Sequence, residues 1–564
     1  MTSTHTQHRG GLRVSRFGRN TAGAPSAPAD GQAVLDAAHT GDIVGAFGRI
    51  GRDGGVAFSG RFRRLRTLMV ITGPGLIVMV GDNDAGGVAT YTQAGQNYGM
   101  GLLWTLALLI PVLYVNQEMV LRLGAVARVG HARLIFERFG KFWGAFSVGD
   151  LLIVNALTIV TEFIGVALAL GFLGCPKIIA IPAAAVLLFA VVAGGSFRRW
   201  EGLMFLLIAV NVLIIPMVLL VHPALKETAG GLIPQFPGGL NSTVLLLTVA
   251  IVGTTVAPWQ LFFQQSNVVD KRITPRFMAY ERADTVLGAF VVIVGATALL
   301  MTGDWAARST STVGNFTDAG ALAQLLGQHS HTLGSFFAIV LMDASIIGAA
   351  AVTLATSYAF GDVFGLKHSL HRGFADAKQF YLSYTAMVVL AAGIVLIPGA
   401  PLGLITTAVQ ALAGLLLPSA SVFLLLLCND PQVLGPWVNR PWLNWVAGLI
   451  VGTLLLLSGI LMATTLFPKI DVVMVASYLA IALLVLTVAA VPVLRWTGRR
   501  QPAPPPPKLP ARGVDRNTWR MPPLTLLEPV VWSAGTRLGM IALRGYLVLG
   551  ALLLVVKAIQ VGRG

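Results

Sequence analysis

The sequence contains little cysteine and little charge, and both shortages limit what the chain can be. Its two cysteines, Cys175 and Cys428, provide neither a disulfide framework nor the spacing of a cysteine metal site. Charged residues make up only 11% of the chain and hydrophobic residues 55%, whereas a soluble domain carries about 25% charged residues. No phosphate-binding glycine loop and no catalytic triad is visible, so we expect neither an enzyme nor a cofactor.

Apolar runs long enough to cross a bilayer recur along the chain. A helical span needs about 20 apolar residues, because the hydrocarbon core is roughly 30 Å thick. The sequence predicts twelve spans, at 68–92, 101–121, 146–171, 178–194, 202–221, 243–268, 285–302, 334–358, 380–397, 401–427, 443–466 and 471–494. A further run, 539–557, is either a thirteenth span or an interfacial helix. The pattern predicts an all-α polytopic membrane protein.

Positive charge alternates from loop to loop. The net charge is +16, and basic residues cluster before the first span and after the second, fourth, sixth and eighth spans. The loops 93–100 and 398–401 carry no lysine or arginine. Because basic loops are retained on the cytoplasmic side of a membrane, we expect a plasma-membrane protein with a cytoplasmic N-terminus. The same alternation accounts for the charge without nucleic acid as a partner.

Composition divides the chain into five parts. Residues 1–66 are polar, glycine-rich and arginine-rich, which predicts a mostly disordered basic arm on the cytoplasmic side. Ten spans follow in 67–430 and two accessory spans in 431–495. Residues 496–538 contain the stretch RRQPAPPPPKLPAR, whose proline content is typical of an extended tether. Residues 539–564 hold the possible thirteenth span.

A polar, glycine-rich stretch interrupts the first predicted span. It reads VGDNDAGGVAT and places Asp82, Asp84 and a pair of glycines inside an apolar run. Unwound backbone at that depth must be buried in protein or line a wet cavity, and an intramembrane carboxylate marks an ion or substrate path by default. Because hard divalent cations bind carboxylate and carbonyl oxygens, the stretch predicts half of an ion site. A glycine-rich packing interface is the alternative.

The sixth predicted span is interrupted at the corresponding place. Its sequence TVAIVGTTVAPWQLFFQQSN carries Gly253 and Pro258 near the middle. Proline removes a helical hydrogen bond, which frees the carbonyl of Thr254 four residues earlier. Transporters built from inverted repeats place their binding site between two such broken helices. The pairing of the two interruptions therefore predicts a site where the first and sixth spans meet.

Four motifs together resemble the NRAMP family of divalent-metal transporters. They are GPGLIVMVGDNDAGGVAT at 73–90, TEFIGVALAL at 161–170, GTTVAPWQLFFQQS at 253–266 and SYAFGDVFG at 357–365. The resemblance covers roughly residues 65–430. It implies a LeuT-type fold of two inverted five-helix repeats with helices 1 and 6 broken, here followed by additional C-terminal helices. It also implies alternating access, with the metal ion as cargo.

The resemblance also implies site residues, and several of them depart from the family pattern. Asp84 keeps the aspartate of the family's Asp-Pro-Gly-Asn motif, whereas Gly87 stands in place of its asparagine. In the sixth helix, Ala257-Pro258-Trp259 replaces the usual Met-Pro-His. The metal ligands implied are Asp84, the Thr254 carbonyl and Gln410 of the tenth span. The residues expected to line the cavity are Gly87, Ala257, Trp259 and Gln260.

These departures favour a hard cation. Thioethers select soft transition metals, whereas carboxylates, carbonyls and water suit Mg²⁺ and Mn²⁺. A site without the methionine, and enlarged by two lost side chains, suits hydrated Mg²⁺, which gives up its waters reluctantly. The pattern is most similar to the NRAMP-related magnesium transporter branch, with Mn²⁺ also carried. Ile159 stands where the third helix usually has an aspartate. Proton coupling is therefore not expected, and Glu162 is a possible inner-path residue.

Three other functions compete with this one. A proton-coupled Mn²⁺/Fe²⁺ transporter of the same family is disfavoured by Gly87, Ala257 and Trp259. An organic-solute symporter of LeuT type would use an aspartate in the first break for substrate amines, but the motif context favours metal. An intramembrane aspartyl protease needs two facing aspartates that share a proton, and it would leave the paired breaks unexplained. The sequence does not predict the oligomeric state.

Overall fold

A computed structural model describes residues 37–51, 61–223, 225–310, 312–399, 402–467 and 469–500, with short stretches between 516 and 548. Residues 1–36 and 52–60 of the predicted arm lie outside the described residues, as do 501–515 of the tether and most of the possible thirteenth span. The folded part is helical apart from one small hairpin.

The helices form two halves, each of which begins with a broken helix and continues through four further membrane helices or helix pairs. The first half comprises α1 (Arg61–Ile71), α2 (Pro74–Val80), α3 (Ala85–Tyr98), α4 (Leu103–Ala127), α5 (His131–Phe139), α6 (Lys141–Phe172), α7 (Lys177–Ala193), α8 (Phe197–Asn211), α9 (Ile214–Val221) and α10 (Leu225–Gly230). The second half and the accessory helices comprise α11 (Ser242–Thr255), α12 (Pro258–Asp270), α13 (Met278–Thr310), α14 (Ala319–His329), α15 (His331–Phe364), α16 (Lys378–Leu396), α17 (Leu402–Cys428), α18 (Pro431–Leu434), α19 (Pro441–Leu466) and α20 (Val472–Arg500).

This arrangement is the LeuT-type fold expected from the sequence. The central helices α6 and α15 occupy equivalent places in the two halves and pack closely against each other. Helix α13 packs along both pieces of the first broken helix, α2 and α3. The breaks therefore lie inside the bundle, where a bilayer protein must bury irregular backbone.

Eight helical segments of the described chain are long and apolar enough to cross a membrane, and three shorter apolar helices accompany them. Each of the twelve predicted spans overlaps one of these eleven segments, although the first does so only at 85–92 and the tenth only at 418–427. The count differs because α2 has only seven residues, and because the apolar stretch Ala85–Ala127 contains both α3 and α4, which the 3-10 turn Gly99–Leu102 separates. The first predicted span, 68–92, is therefore divided among α1, α2 and α3 and does not form one continuous helix.

A carboxylate from another helix caps the N-terminal end of α2. One oxygen of Asp284, on α13, accepts hydrogen bonds from the backbone N–H groups of Gly73 at 3.1 Å, Gly75 at 2.7 Å and Leu76 at 3.3 Å. Gly73 has φ 157°, and a Cβ there would lie 2.1 Å from a carboxylate oxygen of Glu201. Only glycine fits this joint, because both the backbone angle and the space exclude a side chain.

A fully buried ion pair binds the backbone just before α2. The Lys271 ammonium donates to Glu201 at 2.6 Å and to the carbonyls of Ile71 at 2.7 Å and Thr72 at 2.8 Å. Both charged side chains are 0% exposed. Lys271 directly follows α12, so the ion pair ties the end of the second broken helix to the start of the first.

Part of the predicted disordered arm is folded against the helices. Residues 37–50 form a 3-10 turn and an antiparallel hairpin, β1 (Ile43–Gly45) and β2 (Gly48–Ile50). Ile43 is 0% exposed. The expectation of disorder is therefore wrong for 37–50, because this segment buries its apolar side chain and bonds its backbone to the core. We call the face of the bundle that carries residues 37–50 and the loop 271–277 the hairpin face.

Arginines and a glutamate of the core hold the hairpin through its backbone. Arg272 donates to the carbonyls of Ala38 at 2.9 Å and Asp42 at 3.2 Å. Arg128 donates to the His39 carbonyl at 2.9 Å. The Ala46 N–H donates to Glu201 at 2.5 Å. The hairpin therefore shares Glu201 with the buried ion pair.

The Arg272 contacts make a testable prediction about the hairpin. Arg272→Gln removes charge-assisted hydrogen bonds worth about 1.5–3 kcal/mol each. We expect cleavage within residues 37–51 by a protease to become at least about tenfold faster, since detachment exposes this backbone. The measurement is limited proteolysis of the purified protein with mass identification of the fragments.

The matched control is Arg49→Gln, on the same hairpin. Among the described residues, the Arg49 side chain pairs with Asp42 at 2.7 Å and is 69% exposed, so its loss should leave the cleavage rate within about twofold. Equal effects of the two variants would contradict the proposed role of Arg272 in holding the hairpin.

Candidate metal site

The two helix breaks touch each other through polar groups. Residues 81–84 separate α2 from α3, and residues 256–257 separate α11 from α12. The Gln260 amide donates across the gap to Asp82 and within its own break to the Thr255 carbonyl at 3.3 Å. The Tyr91 and Thr255 hydroxyls are 2.8 Å apart. The structure thus confirms that the two interruptions meet, as the sequence predicts.

Two carboxylates converge on the N-terminal end of α3. Asp84 is the N-cap residue, and its side chain accepts the Gly87 N–H at 2.8 Å. Glu162, on α6, accepts the Ala85 N–H at 3.1 Å. A Cβ on Gly348 would lie 2.7 Å from a Glu162 oxygen and 2.9 Å from the Asp84 Cβ, which shows how closely the two acids approach the same point of α15.

If both carboxylates are ionised, this pair carries more negative charge than its surroundings offset. A helix N-terminus supplies roughly half a positive charge, whereas two ionised carboxylates bring two negative charges. Both residues are buried, and the second oxygen of Glu162 has no hydrogen-bond partner among the described residues. A buried acceptor without a donor needs a cation, a proton or water. The arrangement therefore has the charge and the free oxygen of a cation site.

Of the other two predicted ligands, Thr254 is described by the structure, whereas the side chain of Gln410 is not. Thr254 lies in the last turn of α11, is 3% exposed, and keeps a hydroxyl without a partner among the described residues. Pro258, four residues later, has no N–H for the Thr254 carbonyl. Gln410 lies in α17, but its side chain is outside the described residues, so its role stays a prediction.

A cavity of about 360 Å³ reaches Ala85, next to Asp84, although neither Asp84 nor Glu162 is among its lining residues. It is lined mainly by α3, α6 and α11, and it reaches Asn97, Ser242 and the loop 316–318. Ser242 and Asp270 are the opposite ends of the second broken helix, so this cavity opens at the end of the bundle away from the hairpin face. We call it the α3 cavity. Ala85, the neighbour of Asp84, belongs to its lining.

None of the residues predicted to line the cavity is part of the α3 cavity, namely Gly87, Ala257, Trp259 and Gln260. A Cβ on Gly87 would lie 2.8 Å from the Asp82 carbonyl oxygen and 3.3 Å from the Tyr91 ring. The Trp259 side chain is 1% exposed, and its ring lies 6.0 Å from that of Phe263. Beside Gly87, the Asp82 backbone and the Tyr91 ring fill the space that the lost side chain was expected to open. The cavity-lining role of these four residues stays a prediction.

Asp82 is a buried carboxylate at the same break, and the predicted ligand set does not include it. It is 1% exposed, and one of its oxygens has no partner among the described residues. Gln260 donates to the other oxygen, and Gln117 of α4 donates to Gln260 at 3.2 Å. The signal was present in the sequence, since Asp82 lies two residues before Asp84 in the same interruption. The family motif drew attention to Asp84 alone.

Relatives of this chain were identified in curated sequences. A divalent metal cation transporter MntH from Lacticaseibacillus casei is 28% identical over 421 residues, which covers 71% of this chain and 90% of that protein. Divalent metal cation transporter MntH 1 from Pseudomonas aeruginosa is 27% identical over 409 residues, covering 69% and 90% respectively.

Solved structures and a family profile agree with these relatives. The crystal structure of the Eremococcus coleocola manganese transporter, bound to an aromatic bis-isothiourea compound, matches with a TM-score of 0.61 at 22% identity. The match covers 79% of this chain and 96% of that one, and it supports the fold. The profile of natural resistance-associated macrophage protein-like proteins matches residues 75–464. This match over most of the chain shows that the protein belongs to the Nramp family.

Proposed function

We propose that the protein is a multi-pass plasma-membrane transporter that moves divalent cations through the Asp84 site, with a preference for Mg²⁺ and without proton coupling. The Asp84–Glu162 pair beside the α3 cavity carries this proposal. The names of the curated relatives support the class of cargo. Residues 67–430 would form the transport core, and the N-terminus would face the cytoplasm.

The available ligand atoms favour a hard cation. Asp84, Glu162 and the Thr254 carbonyl offer oxygen, and Ala257 supplies no sulfur. Oxygen ligands suit Mg²⁺ and Mn²⁺, whereas a thioether would add affinity for softer metals. Mg²⁺ is usually held by one or two carboxylates while it keeps several waters. One or two acids among neutral oxygens are what this site provides.

The α3 cavity is large enough for an ion that keeps its water. Six waters occupy roughly 180 Å³ at about 30 Å³ each, against a cavity of about 360 Å³. The lining near Asp84 is small and neutral, with Ala85, Ala89 and Thr90 on α3 and Gly165 on α6. Close to Asp84 a hydrated cation therefore meets small neutral side chains, whereas Asp318 lines the other part of the cavity, at the loop 316–318.

The chain lacks parts of a proton route. Ile159, one turn before Glu162 on α6, is 0% exposed and cannot titrate. Helix α16 contains no arginine, and Lys378 at its start is its one basic residue. A membrane potential supplies inward drive of about 4.6 kcal/mol per 100 mV for a divalent ion, at roughly 2.3 kcal/mol per charge. The alternative is a proton-coupled Mn²⁺ transporter, which the closeness of Glu162 to Asp84 favours.

The first experiment follows ion entry and internal pH together. Purified protein in proteoliposomes, under an inside-negative potential, should admit Mg²⁺ without acidification of the lumen. Asp84→Asn keeps the helix cap but removes the charge, so we expect Mg²⁺ entry to fall at least about tenfold, the effect of roughly 1.4 kcal/mol.

The control is Asp343→Asn, a buried carboxylate on α15 whose partner is Asn211 at 3.3 Å. Its variant should transport within about twofold of the parent, since it lies outside the Asp84 site. Entry of Mn²⁺ with acidification, and no entry of Mg²⁺, would replace the proposal with the proton-coupled alternative.

A second experiment tests the missing sulfur. Ala257→Met should increase uptake of the soft ion Cd²⁺ relative to Mg²⁺ by about tenfold, because the thioether adds a soft ligand at the break. Ala257→Leu has nearly the same side-chain volume without sulfur and serves as the control. If both variants change the Cd²⁺ to Mg²⁺ ratio equally, side-chain size at position 257 sets selectivity, and the ligand argument fails.

A further inference from the structure

Asp82 and Asp84 bond to different parts of the protein although one residue separates them. The Asp84 side chain accepts from the first turn of α3, and the neighbouring Ala85 lines the α3 cavity. The Asp82 side chain instead accepts from Gln260, on the first turn of α12. Helix α12 leads away from the α3 cavity to the hairpin face. The two carboxylates therefore belong to opposite sides of the break.

Asp82 and residues on both sides of the break carry oxygens without partners among the described residues. The second carboxylate oxygen of Asp82 is buried without a partner among the described residues, and so is the amide oxygen of Gln117. The side-chain amide nitrogen of Gln117 donates to the side-chain oxygen of Gln260 at 3.2 Å, which fixes the position of Gln117. The Thr254 hydroxyl is likewise buried and without a partner in the described chain. Such acceptors are rare in folded proteins unless water or a ligand satisfies them.

Polar side chains continue from Asp82 along one side of α12. Gln260, Gln264 and Asn267 follow at spacings of four and three residues, which places them on one helix face. Gln264 donates to the Thr285 hydroxyl of α13 at 3.2 Å. Glu281 lies one turn from Thr285, towards the hairpin face. Both oxygens of Glu281 and both polar atoms of Asn267 are buried without partners among the described residues.

We propose that Asp82 and Gln260 form a second cation position, reached after Asp84, and that Gln264, Asn267 and Glu281 line the route from it to the hairpin face. This inference rests on the proposed function, because it assigns the exit side of the same path. The ligand is a hard divalent cation that keeps part of its water, since the position offers one carboxylate and neutral amide oxygens.

Two positions would make release possible without weakening capture. An ion held by Asp84 and Glu162 can move towards the hairpin face more readily when a further carboxylate lies on that side. Asp82 provides such a carboxylate, and its backbone lies at most about 7 Å from that of Asp84, since an extended chain spans about 3.3–3.6 Å per residue. An ion moves through a path when its binding is favourable enough for it to enter, and when that binding is spread over several weaker positions so that it can leave.

Asp82→Asn tests the second position in the full-length protein. Asparagine keeps an oxygen for the Gln260 hydrogen bond and removes only the charge. We expect the maximal rate of Mg²⁺ uptake to fall about tenfold, while the KM for Mg²⁺ stays within about threefold because Asp84 still captures the ion. Asp84→Asn should instead raise the KM at least about tenfold. Asp343→Asn is again the control for loss of a buried carboxylate.

Equilibrium binding of Mn²⁺ to purified protein separates this inference from the proposed function. A weak site should remain in Asp84→Asn and disappear in the Asp84→Asn, Asp82→Asn double variant, whether or not the protein transports Mg²⁺. Thermal unfolding of each variant checks that it is folded. The inference is overturned if folded Asp82→Asn transports within twofold of the parent, if it raises the KM as Asp84→Asn does, or if the double variant binds Mn²⁺ as Asp84→Asn does.

Discussion

Helix ends buried in a membrane protein must find hydrogen-bond partners inside the protein, and this requirement organises the centre of the molecule. The first N–H groups of α2 bond to Asp284, and those of α3 bond to Asp84 and Glu162. Carboxylates therefore enter the apolar interior first as partners for backbone. The Asp84 carboxylate and the unwound backbone beside it arise from the same interruption of the first span.

The short helix α2 depends on its neighbours for its position. Asp284 holds its N-terminus from α13, and Lys271 holds the preceding turn from the end of α12. Glu201 joins this ion pair to the hairpin through the Ala46 N–H. A helix of this length has little stability alone, and the contacts that hold it come from residues far away in the sequence. The two broken helices are thus linked at the hairpin face as well as at the site.

The sequence predicted the breaks and Asp84 because their signals are local. Glycines, a proline and carboxylates inside apolar runs are visible without knowledge of the fold, and the motifs led to the LeuT-type arrangement. The hairpin was not predictable, because its strands have three residues each and its partner Glu201 lies 155 positions from Ala46. The closed space at Gly87 was not predictable either. A missing side chain does not reveal that the Asp82 carbonyl and the Tyr91 ring take its place.

Gly73 shows that a position can be restricted to one amino acid without binding the transported ion. Its φ of 157° and the Glu201 oxygen 2.1 Å from any added Cβ leave no room for another amino acid. Across a set of related sequences or a saturation mutagenesis profile, position 73 would vary as little as Asp84, although it offers no side chain to an ion. Invariance near the breaks therefore reports the geometry of a joint as readily as it reports a ligand, and only the contacts of each residue distinguish the two.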